Sequence, residues 1–211
     1  EDRKHLEDEI PLADRYPYKE MARHGWVEPA TDGISRVLEL LRFFRVSSLR
    51  HLEARGLSVV WRKSSKVEIS REALLAWLAR GEREAEDQRV ASSFDKEQLR
   101  HRLPELRRLT REDPTVFEPN LRRLLSECGV ALTFVPYLKK TGAHGATQWL
   151  GQRALVQLSD RYTWSDIIWF SFFHEVGHLI LHHRKGVFVN PEGGEKSSEE
   201  RAADAFASDT L

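Results

Sequence analysis

The chain has 211 residues, and its 33 Lys and Arg balance 33 Asp and Glu, which argues against a surface coated for nucleic acid. That length suits one large or two small domains, and the single cysteine, Cys128, excludes an internal disulfide. No apolar stretch reaches transmembrane length free of charge, since 164–181 contains Asp166, His174, Glu175 and His178, and no secretory signal opens the sequence. The expectation is a cytoplasmic protein without a membrane partner. The first residue is Glu1 rather than Met, which suggests that further residues precede it.

Residues 1–92 read as helices over 2–9, 18–24, 34–44, 48–55 and 70–86, with turns at 29–33 and Gly56. The last of these has a serine N-cap, Ser70, and an apolar stripe at Ala73, Leu74, Trp77 and Leu78. Between Arg36 and Lys66, eight Lys and Arg face two acids, Glu39 and Glu53. Within that window 40–52 scans as a helix–turn–helix that could bring Arg50 and His51 near phosphates. The plainer reading, a solvated basic face on a helical linker, carries more weight. A charge-mixed stretch, 81–93, reads as the link to a second region, so the expected division is a helical linker or regulatory region at 1–92 and a domain at 93–211.

The second region opens with helices at 95–110 and 116–128. Leu99, Leu103 and Leu106, then Leu121, Leu124 and Leu125, form their apolar stripes, and the cluster Arg100, Arg102, Arg107 and Arg108 reads as a solvated face. Cys128, in Leu124-Leu-Ser-Glu-Cys-Gly129, reads as a packed helix end. Three short β-rich segments follow, 129–136, 145–150 and 153–159. They predict a small antiparallel sheet whose last hairpin turns at Gly151-Gln152. The segment 145–149 is the candidate exposed edge, able to hold an extended peptide by strand addition, and a core sheet packed under the helices is the equal alternative.

His174-Glu175-Val176-Gly177-His178 lies inside the apolar run 167–181. Histidines at i and i+4 project from one helix face and can grip one metal ion. A glutamate after the first histidine then lies beside the ion, placed to take a proton from water. Burying His, Glu and His together in so apolar a helix costs several kcal/mol unless a strong partner satisfies them. A third protein ligand is expected, with one position left open. His182 is about 12 Å further along the helix axis, and His183 points elsewhere. The ligand must therefore come from beyond the turn-rich stretch 190–194. There 197–207 reads as a helix with Ser197 as N-cap and an Ala-rich body. Glu200 and Asp204 are one turn apart on it, so Glu200 can bind the metal while Asp204 accepts the outer N–H of a ligating histidine. Glu200 is equally the last residue of a capping box with Ser197, and Glu199 and Glu195 are alternative ligands. Zinc is the expected ion. Tyr137, His144, Arg161 and Tyr162 flank the sheet as candidates for stabilising an oxyanion, with Trp149 as a further substrate contact.

The string Trp169-Phe-Ser-Phe-Phe-His-Glu-Val-Gly-His-Leu-Ile-Leu-His182, with Glu200-Arg-Ala-Ala-Asp-Ala-Phe-Ala207, resembles the ImmA/IrrE family of bacterial zinc metallo-endopeptidases. Members carry His-Glu-x-x-His on one helix and a glutamate ligand on the next. By position the resemblance makes His174, His178 and Glu200 the ligands and Glu175 the general base, and it covers 95–211. It implies an α+β fold: a helical N-terminal region, then a zincin-like peptidase domain with a small antiparallel sheet and an active-site helix. In the family a Leu-Met/Ile-Pro segment follows the last helix, so the chain is expected to be cut short at Leu211. The segment 18–27 and the helix ending at 43–46 are similar to the middle region of longer relatives with an upstream Xre/HigA-type helix–turn–helix domain. DNA would then be met through that domain. The implied substrate is a transcriptional repressor or antitoxin-like regulator, in a stress, mobile-element or toxin–antitoxin response. The other class in play is a DNA- or partner-binding regulator whose metal site is structural or silent. Glu175 favours the enzyme, because a structural site needs ligands but no base.

Overall fold

Side-chain caps start the helices. Asp32, Ser70, Asp95, Asp113 and Ser197 each accept a hydrogen bond from a backbone N–H in the first turn that follows. A computed structural model of the chain describes residues 2–54, 69–91, 93–160, 165–182, 188–191 and 197–211. The order is α1 (Asp2–Ala13), α2 (Tyr18–Arg23), α3 (Gly33–Phe44), α4 (Arg50–Ala54), α5 (Arg71–Glu86), α6 (Lys96–Arg108), a 3-10 turn (Leu109–Arg111) and α7 (Pro114–Glu127). Then come β1 (Val130–Val135), β2 (Ala143–Leu150), β3 (Arg153–Ser159), α8 (Ser165–Leu181), β4 (Phe188–Pro191) and α9 (Ser198–Thr210). The architecture is α+β. Among the described residues, no helix is long and apolar enough to cross a membrane.

The sheet differs from the antiparallel one expected: it is mixed, in the order β1-β3-β2-β4. The β2–β3 hairpin does turn at Gly151 and Gln152, with Leu150 opposite Arg153 and Gly151 at φ +64°. It folds back so that β3 enters between β1 and β2, which makes β3 parallel to β1. The segment Ala154-Leu-Val-Gln-Leu158, buried throughout, thereby has a neighbour on each side and cover on both faces. Residues 145–147 of the candidate edge are also not at an edge. β4 pairs antiparallel with them, placing Val189 opposite Ala146 and Phe188 opposite Thr147. Asn190 and Pro191, read as part of a turn-rich stretch, belong to that strand, and Pro is tolerated at a sheet edge. On the opposite side, the Gln88 carboxamide donates to Leu132 O (2.8 Å) and accepts from Leu132 N (3.2 Å), covering β1 as a peptide group would.

Strand alternation assigns the two faces. Val130, Leu132, Val156 and Leu158 pack with Leu99, Leu106, Leu121, Leu124 and Leu125 of α6 and α7 and with Phe172, Phe173 and Val176 of α8. Residues of opposite parity meet α5, where the Trp77 indole donates to Val135 O (3.3 Å) and the Gln157 amide donates to Trp77 O (2.7 Å). The α5 side continues into a cluster with Met21, Trp26, Val37, Leu40 and Phe43 from the N-terminal helices. The helix read over 70–86 forms as α5, so residues 81–86, also read as part of a linker, are its last turns. Glu82, Arg83, Glu84 and Glu86 are good helix formers, Arg80 pairs with Glu84 (2.8 Å), and Gly81 lacks the Cβ that would strike the Gln157 amide.

In the basic window, the buried Glu9 accepts from Ser48 Oγ and from Leu49 N (2.8 Å), anchoring the turn between α3 and α4. Arg36 pairs with Asp14 (2.8 Å), Arg42 with Glu39 (2.6 Å) and Arg45 with Glu86 (2.6 Å). Arg50 and His51 are exposed on α4, and residues 55–66 of the window lie outside the described residues.

Candidate metal centre

Helix α8 is apolar nearly all round, so it is buried nearly all round. Phe172, Phe173, Val176, Leu179 and Ile180 join the core beneath it. His174, Glu175 and His178 are buried with them. Helix α9 covers the histidine face at very close range. A Cβ built on Gly177 would lie 3.1 Å from a Phe206 ring carbon and 3.3 Å from Ala203 Cα. Glycine on one helix and alanine on the other allow that approach, and it brings Glu200 over the histidines. Gly177→Val should push α9 outward, lowering stability by about 1–3 kcal/mol and weakening divalent-metal binding together. Thermal unfolding and a zinc titration read the two effects, and no change in either would contradict the tight crossing.

The Nε2 atoms of His174 and His178 lie 3.0 Å apart. Glu200 completes a small triangle, with Oε2 at 3.2 Å from His174 Nε2 and Oε1 at 3.3 Å from His178 Nε2. Ligands on a tetrahedral ion with bonds of roughly 2.0–2.1 Å stand about 3.3 Å apart, so the three donors are spaced to share one cation. The other nitrogen of His174, Nδ1, lies 3.0 Å from Asp204 Oδ1. That contact holds the ring with its proton on Nδ1 and its Nε2 lone pair turned to the centre. Ser197 Oγ accepts from the Glu200 N–H (3.1 Å), but the Glu200 carboxylate goes to the histidines rather than back to Ser197. Half of the capping box therefore forms, and it orients the ligand. Glu199 is exposed, with its carbonyl 3.2 Å from His182 Nε2, and Glu195 lies outside the described residues.

The charges around this centre ask for a cation. Burial alone would depress the His174 pKa, but Glu200, Glu175 and Asp204 outweigh it and hold the pKa above its ordinary value. Burial opposes ionisation of Glu200, yet hydrogen bonds and charge from both histidines bring it down to about 2. Glu175 moves the other way: burial raises its pKa against the opposing pull of the histidines and Thr147. Three carboxylates surround two imidazoles, and Glu175 Oε1 is buried with no hydrogen-bond partner among the described residues. A divalent cation on two imidazoles and a carboxylate suits this donor set.

Glu175 is the group with chemistry to offer. Its Oε2 accepts from Thr147 Oγ1 on β2 at 2.8 Å, while Oε1 has Gly145 beside it. Of the other sequence candidates, Tyr137, Trp149 and His144 are among the described residues. Tyr137 is half-buried after β1, its N–H donating to Asp160 Oδ1 (2.8 Å). Trp149, half-buried, packs edge-on against Phe94 at 5.3 Å beside the core. His144 borders a small cavity with Ile168 and Ser171, one turn before Glu175 on α8. Arg161 and Tyr162 lie outside the described residues. Gly145, Thr147 and Gly177 are the site-building residues missed in the sequence. The signal for the first two was their shared strand parity, which points both at α8. Comparison with protein-family models, curated proteins and solved structures returned no match.

Proposed function

We propose that the chain is a zinc-dependent endopeptidase of the cytoplasm, similar in mechanism to the ImmA/IrrE metallopeptidases that its motif resembles. The observation that carries this reading is Glu175, a buried carboxylate beside the three converging donors, with one oxygen engaged and the other without a partner among the described residues. His174, His178 and Glu200 would hold the ion, and two imidazoles with one carboxylate are a donor set of catalytic zinc sites. Zinc there supplies Lewis-acid polarisation of the peptide carbonyl and acidification of water. Asp204 keeps His174 in the tautomer that ligates. Glu175 takes the proton of the attacking water at Oε1 and delivers it to the departing amine, its burial raising its basicity for the task.

The resemblance makes a transcriptional repressor or antitoxin-like regulator the substrate, with DNA contacted through an upstream domain. A regulator with a structural metal site is the competing class. It leaves Glu175 without a role, since closed structural sites use four protein ligands, and among the described residues the group comprises three. Incubating the zinc-loaded protein with bacterial extract and labelling new protein N-termini tests the reading. New termini should appear, vanish with chelator and return when zinc is restored. An identical set with and without chelator would sink it.

A further inference from the structure

Strand β2 passes directly against the helix turn that carries Glu175. Thr147, 1% exposed, places its hydroxyl 2.8 Å from Glu175 Oε2 and 3.2 Å from the Glu175 carbonyl oxygen. Two residues earlier on the same face, a Cβ on Gly145 would lie 2.6 Å from Oε1 and 2.9 Å from Cγ. Both carboxyl oxygens are thus met by one strand, one through a hydrogen bond and one through a missing side chain.

We propose that Thr147 is a positioning residue for Glu175: its hydroxyl holds Oε2 and fixes the carboxyl plane, while Gly145 leaves room for Oε1 as the oxygen that exchanges a proton. This inference rests on the peptidase reading. The terminal torsion of a glutamate is broad, so a buried carboxylate without an anchor rotates over a wide arc. A hydroxyl donating to one oxygen removes that freedom and leaves the other oxygen its lone pairs. The fixed strand and the packed helix hold both ends of the contact, which is the support a reacting group needs. A threonine with only a packing role would be satisfied by the main-chain carbonyl alone. Here the shorter of the two contacts goes to the carboxylate.

The test uses the cobalt(II)-substituted chain and acetohydroxamate, a zinc-site probe that shares a proton with the neighbouring base, followed by visible absorption. Thr147→Val keeps shape and loses the donor, Thr147→Ser restores it, and Gly145→Ala intrudes from the other side. Thr147→Val and Gly145→Ala should bind cobalt with Kd within about twofold of the parent but hold acetohydroxamate at least about tenfold more weakly. Thr147→Ser should recover most of that loss. Glu175→Gln is the reference and should weaken the probe at least as much. If Glu175→Gln weakens it while Thr147→Val and Gly145→Ala bind like the parent, the positioning role is overturned and the peptidase reading stands. If Glu175→Gln itself binds the probe like the parent, the base role beneath the inference has failed. Should Thr147→Val not fold, Gly145→Ala and the serine rescue still decide.

Discussion

Glu200→Ala should empty the metal centre, with the parent holding about one zinc per chain after dialysis and the variant little or none. Two histidines with Nε2 atoms 3.0 Å apart remain, and a pair of donors from a single helix cannot enclose the ion. Loss of an outer partner such as Asp204 typically weakens metal binding roughly 10- to 100-fold, so loss of a direct ligand should weaken it by more than about 100-fold. The helix itself should survive, because the cap runs from Ser197 Oγ to the backbone N–H of residue 200, not to its side chain. Metal analysis is therefore cleanly separable from folding, which circular dichroism would follow. Stoichiometric zinc in the variant would overturn the ligand assignment. A paired Asp204→Ala should fall between parent and Glu200→Ala, since it frees the His174 ring without removing a donor.

What could be read from the sequence was what depends on residues near one another in the chain. The i, i+4 spacing of His174 and His178 is a property of any helix, and the capping serines and aspartates sit where their helices begin. The third donor of the cluster was legible for the same reason: Glu200 and Asp204 share a helix face, and small residues beside them announced close packing. What failed to be read was pairing over distance. β3 enters between β1 and β2, an arrangement that depends on three strands meeting at once and that no local pattern sets. β4, four residues ending in a proline, exists because β2 offers it a partner. The union of α5 with the sheet depends on Trp77 and Gly81 meeting Val135 and Gln157, more than fifty positions downstream. Thr147 and Gly145 looked like ordinary strand residues, because a residue that steadies a carboxylate uses the same alternation as one that fills a core.

Glu175→Gln is the change expected to separate chemistry from structure most widely. The amide has the shape of the carboxylate, and its carbonyl can still accept from the Thr147 hydroxyl, so the side chain should stay in place. What it cannot do is take up a proton. A positioned general base contributes typically about 10²–10⁴-fold to rate, and cleavage of any substrate identified by new N-termini should slow by that order, with zinc content unchanged. Stability should move the opposite way. Glu175 is fully buried, its Oε1 has no partner among the described residues, and burial raises its pKa, all of which make the ionised group costly to fold around. Removing that charge without changing the volume should leave the unfolding temperature of the metal-free protein unchanged or higher. A slower enzyme with an equal or higher melting point would mark Glu175 as a residue held for its reaction against the interest of the fold. Equal cleavage rates would remove the general-base role. A lower melting point would show the carboxylate serving the core instead, and would turn the buried His174, Glu175 and His178 cluster back into a packing problem.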